Sequence, residues 1–193
     1  MILPATTRLV HIGPHKTGTT SLQAALWSAR PELIRQGVRH VGRSQNPSVA
    51  VRAVVRQPSP YSVDRPPSMS NWNALVREID AAKEPRIVVS SEFFAWADSE
   101  AIGRIVSDLD PERVHVAVTL RPLARVIPSM WQQNVQLGTV TPLEAWVHEI
   151  LDDRTKPFWQ LQRHDELIRR WLEVVGPERL TAVVVDDRDH DVV

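Results

Sequence analysis

The sequence contains no cysteine, which excludes disulfide bonds, thiolate catalysis and cysteine-ligated zinc or iron–sulfur centres. It also lacks a surplus of charge, because 23 Lys and Arg residues balance 23 Asp and Glu residues. Bulk charge therefore gives no support to a nucleic-acid partner or to a membrane-surface role. No apolar run approaches the ~20 residues that a membrane span needs. Any site for an anion must be local.

The chain of 193 residues is long enough for one domain with a sizeable core and too short for two comfortable ones. We predict a single domain over 1–193. The first residues carry no basic stretch, so the short apolar run that follows them is not a signal peptide. We expect a soluble, cytoplasmic protein. Most of the seven tryptophans are expected in the core, with some lining a cleft.

Strand-like apolar runs alternate with segments of helical spacing along the whole chain. The runs lie at 9–12, 38–41, 86–90, 114–120 and 180–185, and the helical segments at 20–36, 72–82, 99–109, 123–137, 142–151 and 159–175. This alternation predicts a three-layer α/β/α fold with a central, mainly parallel sheet of about five strands. In such folds ligands bind at the carboxyl ends of the strands.

The segment 42–70 interrupts this alternation with prolines at 47, 58, 60, 66 and 67 and several serines. We predict an irregular Pro/Ser-rich loop there. It is either a partly ordered loop beside a substrate pocket or a disordered segment.

The first apolar run leads directly into Gly13-Pro-His-Lys-Thr-Gly-Thr-Thr20. Its two glycines allow a tight turn, successive amides can converge on an anion, and the dipole of the following helix adds positive potential. Lys16 supplies a full charge, and Thr17, Thr19 and Thr20 supply hydroxyl donors. The segment predicts a phosphate-binding loop; the alternative is a Gly/Thr-rich turn that binds nothing.

The position of the lysine distinguishes this loop from a Walker A loop, in which Lys directly follows the second Gly and a magnesium-binding Ser or Thr comes next. Here Lys16 lies two residues before Gly18, and Thr19 follows that glycine. The arrangement resembles the loop with which bacterial, P-loop-related sulfotransferases hold the 5′-phosphosulfate of 3′-phosphoadenosine 5′-phosphosulfate (PAPS). The resemblance implies a P-loop NTPase-like fold and a co-substrate that needs no metal. It assigns to PAPS binding His15, Lys16, Thr17, Gly18, Thr19 and Thr20.

A second motif follows the run 114–120, where Arg121 comes first and Ser129 lies about two helical turns further on. Arginine offers phosphate a planar fork of donors, and a serine hydroxyl adds a directed hydrogen bond. By itself the spacing also fits a solvated or ion-paired arginine. The pair resembles the sulfotransferase site for the 3′-phosphate of PAPS. Pro128 predicts a bend that would shift Ser129. Three residues that follow on the same helix are candidate contacts to the adenine or the acceptor, namely Trp131, Gln132 and Gln133, although Trp131 more often serves core packing.

Glu92 follows the run 86–90, at the sheet edge where the other two motifs are expected, and is our candidate general base. Alternatively, it caps a helix or forms a structural ion pair. His15 and His40 are further candidates for the base, although a structural or surface role is the more usual one for such histidines. The resemblance implies that Lys16 is catalytic too, stabilising charge on the bridging oxygen. No pattern of histidines and carboxylates has metal-ligand spacing, so we expect no metal.

The resemblance therefore implies a PAPS-dependent sulfotransferase that acts on a hydroxyl or amine of a small-molecule, carbohydrate or lipid acceptor. A P-loop small-molecule kinase is the first alternative, although the chain lacks Gly-Lys-Thr and a Walker B Asp. A degenerate nucleotide-binding interaction module without catalysis is the second. Many sulfotransferases carry a basic, glycine-containing segment near the C-terminus, which this chain lacks. A C-terminally truncated fragment, a minimal member and an inactive relative all remain open.

Overall fold

A sheet of five parallel strands forms the centre of the computed structural model, which describes residues 3–58 and 65–185. The strands are β1 (Arg8–Ile12), β2 (Val38–His40), β3 (Arg86–Ser90), β4 (Val114–Leu120) and β5 (Leu180–Val184). They are arranged in the order β2-β3-β1-β4-β5, and every neighbouring pair is parallel. The predicted α/β fold with a five-stranded parallel sheet is confirmed.

The strands form where the sequence predicts because their β-branched residues are buried inside the sheet. Val10 of β1 pairs with Val89 of β3 on one side and with Val116 of β4 on the other. All three residues are at most 2% exposed. A parallel sheet covered by helices requires such near-continuous apolar strands.

Helices connect the strands and flank the sheet. They are α1 (Thr19–Ser28), α2 (Arg30–Arg35), α3 (Ser48–Val54), α4 (Met69–Ala81), α5 (Ser99–Asp108), α6 (Leu123–Gln136), α7 (Leu143–Asp152), α8 (Pro157–Gln162) and α9 (His164–Val175). Two short 3₁₀ helices occupy Glu92–Trp96 and Pro177–Arg179. No helix within the described ranges is long and apolar enough to cross a membrane.

Two of the predicted helices are each divided in two. The helix predicted over 20–36 breaks at Ala29, because Pro31 in the first turn of α2 has no N–H to continue the hydrogen bonds of α1. The helix predicted over 159–175 breaks at Arg163, whose ψ of 72° is not helical. The predictions located helical sequence correctly and missed both boundaries.

The prediction of an irregular loop over 42–70 is wrong for Ser48–Val54, which form α3. Most residues of this helix are apolar, and Val51 is fully buried where α3 packs on α4. The many prolines of this segment predict a loop, but the short apolar run inside it forms a helix that is stabilised by burial. Residues 59–64 of the predicted loop lie outside the described residues.

Two groups of buried side chains stabilise the fold. The larger one packs around the sheet and includes the fully buried Trp72, Phe94 and Trp171. A smaller one lies between α6, α7 and α8 and contains Val126, Met130, Trp146, Ile150, Phe158 and Trp159. The expected core role holds for these four tryptophans, and no tryptophan lines the cleft described next.

Candidate functional site

Three chain segments that follow neighbouring strands meet at one edge of the sheet. The loop 13–18 follows β1, Glu92 follows β3 and Arg121 follows β4, so parallel strands place their carboxyl ends together. A cleft of about 390 Å³ lies between them. It is lined by His15, Lys16, Gly18, Thr19, Thr20, Glu92, Arg121, Ser129 and Gln133. Of the residues predicted for the site, four do not line the cleft, namely Thr17, the alternative base His40, and the candidate contacts Trp131 and Gln132.

Glycine is required at two points of the loop. A Cβ on Gly13 would overlap the Thr19 hydroxyl and would lie 2.9 Å from Thr119 Oγ1. Gly18 precedes α1 with φ of +85°, a left-handed conformation that side chains disfavour. The first glycine permits close packing, and the second turns the chain into the helix. Both are consistent with a loop that presents backbone amides to the cleft.

The threonine hydroxyls are used differently from one another. Thr17 Oγ1 donates to the Pro14 carbonyl at 2.7 Å, and Thr19 Oγ1 donates to the Gly13 carbonyl at 2.9 Å. Thr17 is 2% exposed and lies outside the cleft. Its hydroxyl therefore maintains the shape of the loop, whereas Thr20 is exposed and lines the cleft.

Polar side chains of β1, β3, β4 and α8 form hydrogen bonds beside and within the loop. His11 bonds through Nδ1 to Ser90 Oγ at 2.7 Å and through Nε2 to Thr119 Oγ1 at 3.3 Å. Burial lowers the pKa of His11 to about 4, so the ring is neutral at pH 7. From α8, the Gln162 side-chain amide donates to the His15 carbonyl at 3.3 Å.

The cationic groups of the cleft come from different elements. Lys16 lies in the loop, with φ of +69°, and Arg121 follows β4. Ser129 and Gln133 face the cleft from α6. Pro128 is inside this helix, yet Ser129 still lines the cleft. Positive charge and hydroxyl donors thus lie on both sides of one cavity.

Glu92 is held by two side-chain amides. Its Oε2 accepts a hydrogen bond from Asn46 Nδ2 at 2.6 Å and one from Gln23 Nε2 at 3.3 Å. The cap of the 3₁₀ helix that begins at Glu92 is Ser91, whose hydroxyl accepts from the Phe93 amide. Within the described residues Glu92 forms no ion pair. Its contacts leave Oε1 for another partner.

Sequence reasoning missed both amides. Gln23 lies four residues after Thr19 in α1, so helix periodicity could have placed it on the same face. Asn46 reaches Glu92 from the segment before α3, across 46 positions of the chain. No local pattern predicts that contact.

The two histidines differ in position. The half-buried His15 lines the cleft; burial lowers its pKa, as does Lys16, while Glu92 opposes the shift. His40 is 1% exposed, and neither ring nitrogen has a hydrogen-bond partner among the described residues. Burial, followed by the charge of Arg30, lowers the pKa of His40 to about 4. His40 is thus a buried neutral residue outside the cleft.

In residues 3–58 and 65–185, no three histidine or carboxylate side chains lie close enough together to hold a metal ion.

Comparison with known proteins yields matches among structures alone. No protein-family model and no curated protein matches the sequence. A sulfotransferase from Alicyclobacillus acidocaldarius has a similar structure, with a TM-score of 0.58 and 14% identity over 95% of this chain and 74% of that one. A gluconokinase from Sinorhizobium meliloti gives a TM-score of 0.45 and 13% identity, covering 95% and 85% of the two chains. The likeness to the first of these structures shows a shared α/β fold.

Proposed function

We propose that this protein is a cytoplasmic sulfotransferase that transfers a sulfuryl group from PAPS to an acceptor hydroxyl or amine. The observation that carries the proposal is the convergence of Lys16, Arg121, Ser129 and Glu92 on one cleft. The four residues come from three separate chain segments, so their proximity is a property of the fold.

The donor groups of the cleft fit a ligand with two separated anionic groups. Lys16, the loop amides and Thr20 would hold the 5′-phosphosulfate beside the start of α1. Arg121 and Ser129, which follow β4, would hold the 3′-phosphate. His15, Gly18 and Thr19 complete the loop side of the site, and Thr17 supports the loop through Pro14.

In the proposed transfer reaction Lys16 and Glu92 have different roles. When bound, PAPS supplies the sulfuryl group, and adenosine 3′,5′-bisphosphate leaves with the electrons of the broken sulfur–oxygen bond. Lys16 stabilises the negative charge that develops on the phosphate oxygen. Glu92, oriented by Asn46 and Gln23, takes the proton from the acceptor.

The first test is ligand-dependent thermal stability. Adenosine 3′,5′-bisphosphate is expected to raise the Tm without magnesium, because a ligand that binds only the folded state stabilises it. ATP with magnesium is expected to leave the Tm unchanged. The opposite ranking would favour the kinase alternative and contradict the proposal.

The second test is the Lys16→Ala variant, assayed for transfer of radiolabelled sulfate from PAPS to a panel of acceptors. We expect loss of turnover with the Tm of the free protein unchanged. Lys83→Ala is the matched control, because Lys83 precedes β3 at the opposite edge of the sheet. Binding of the bisphosphate by the wild-type protein without turnover on any acceptor would instead favour an interaction module.

A further inference from the structure

A second and larger cavity lies next to the cleft. It is a groove of about 760 Å³ between the segment 42–50 and α4. This volume is in the usual range for small-molecule sites. Asn46 lines the groove and also donates to Glu92, which lines the cleft. One side chain therefore connects the groove with the carboxylate assigned as the base.

Two arginines that form no ion pair among the described residues line the groove. Arg43 belongs to the segment 42–50 and Arg77 to α4, and both line the groove and are exposed. Neither forms an ion pair within residues 3–58 and 65–185. Most other exposed arginines of the described chain do, namely Arg35, Arg56, Arg104, Arg163 and Arg169.

Among the described residues that line the groove, the one carboxylate is that of Glu78, and it is already engaged elsewhere. Glu78 Oε1 accepts a hydrogen bond from the Gly42 amide at 3.0 Å. Glu78 also interacts with Arg30, whose pKa is lowered by burial and raised again by the Glu78 charge. Glu78 thus already has a backbone amide and a cation as neighbours. The two groove arginines remain available to an anion.

From these observations we propose that the groove binds the acceptor and that the acceptor carries an anionic group held by Arg43 and Arg77. The proposal rests on the proposed function, since the groove is the acceptor side of the same site. The acceptor is a hydroxyl compound that bears a carboxylate, phosphate or sulfate. The acceptor's hydroxyl points toward Glu92, on the side of the groove where Asn46 lies. The two guanidinium groups bind the acceptor's anionic group through paired N–H donors.

The test measures binding rather than turnover. Glucose, glucuronic acid, glucose 6-phosphate and glucose 6-sulfate share one ring and differ at carbon 6. A comparison of their affinities therefore shows which anionic group the groove prefers. NMR titration of the wild-type protein, with and without saturating adenosine 3′,5′-bisphosphate, gives a Kd for each sugar. We expect at least one anion to bind about tenfold more tightly than glucose, a difference that declines at high salt.

The double variant Arg43→Gln/Arg77→Gln identifies where the anion binds. We expect the preferred anion to fall to the affinity of glucose in this variant. Arg35→Gln, a charge change on α2, is expected to leave that affinity unchanged. Equal affinities for all four sugars, no binding of any, or an unchanged Kd in the double variant would overturn the proposal.

Failure here and failure of the proposed function are distinguishable. The bisphosphate melting experiment probes the cleft, whereas the change of sugar affinity in the Arg43→Gln/Arg77→Gln variant reports on the groove. A protein that is stabilised by the bisphosphate but shows no preference for anions keeps the proposed function and loses the anionic acceptor. A protein that binds anions through the two arginines but is not stabilised by the bisphosphate has the anion-binding groove and contradicts the proposed function.

Discussion

At the scale of single residues, the contacts of Glu92 are the most specific feature of the cleft. One oxygen accepts from two amides that come from α1 and from the segment before α3. A carboxylate oriented in this way has its second oxygen available for proton transfer. The assignment of Glu92 as the base is therefore best tested by substitutions that keep or remove these contacts.

The Glu92→Gln substitution tests proton acceptance. The new amide oxygen can still accept from Asn46 and Gln23, but the side chain no longer takes a proton. We expect turnover to fall by about 10²- to 10⁴-fold, while the Tm increase caused by adenosine 3′,5′-bisphosphate is unchanged. Glu144→Gln, at an exposed position of α7, serves as the control. Wild-type turnover in the Glu92 variant would remove Glu92 from the mechanism.

The Asn46→Ala substitution tests positioning. It removes the 2.6 Å hydrogen bond to Glu92, and we expect kcat to fall about tenfold, the equivalent of one lost bond to a charged group. The KM for PAPS is expected to stay constant, because Asn46 does not line the cleft. A parallel measurement on Asn73→Ala, at an exposed site of α4, controls for general effects. A change confined to thermal stability would make Asn46 purely structural.

At the scale of elements, the connection between β1 and α1 combines tight packing with a left-handed turn. Gly13 packs against the side chain of Thr19, and Gly18 provides the backbone angle from which α1 begins. The loop is consequently sensitive to the size of its residues. Sensitivity of this kind is measurable separately from catalysis.

The Gly13→Ala substitution is expected to reduce the free energy of unfolding by about 1–3 kcal/mol, because overpacking forces neighbours to shift. We also expect the bisphosphate to lose its effect on the Tm as the loop moves. Gly103→Ala is the contrasting control. A Cβ at Gly103 meets nothing within 4 Å, and the residue lies inside α5, so alanine is expected to stabilise by about 0.5–1 kcal/mol. Urea denaturation of both variants checks the difference; equal effects would contradict the packing argument.

At the scale of the whole molecule, two buried histidines couple stability to pH. Burial lowers the pKa of His11 and of His40 from 6.5 to about 4 in the folded protein. Between these values the unfolded chain binds more protons than the folded one. The stability that these two groups contribute is therefore fully present above pH 6.5 and is lost as the pH falls toward 4.

The His40→Phe substitution tests this coupling. Neither ring nitrogen of His40 has a hydrogen-bond partner in the described part of the chain, so the substitution removes a titrating group without breaking a bond. We expect the loss of stability between pH 6.5 and pH 4 to shrink by about 1–3 kcal/mol. Urea denaturation at several pH values measures it. The exposed His148, changed to Gln, is the control; an equal effect in both variants would show that His40 contributes nothing specific.

Much of the fold was predictable because its causes are local. Runs of β-branched residues form strands wherever helices cover the sheet, and all five predicted runs became strands. Helix boundaries were less predictable. Pro31 could have indicated the break between α1 and α2, but α3 depends on burial against α4, which lies beyond residues 59–64 in the chain.

By itself, the sequence determined the sheet, the loop with its two required glycines, and the chemical types of the candidate site. These follow from backbone sterics and from the order of residues along single elements. Tertiary structure alone decided that Thr17 faces away from the cleft, that Asn46 contacts Glu92, and that Arg43 and Arg77 share a groove. Such contacts join distant parts of the chain, and their geometry exists only after the elements have packed.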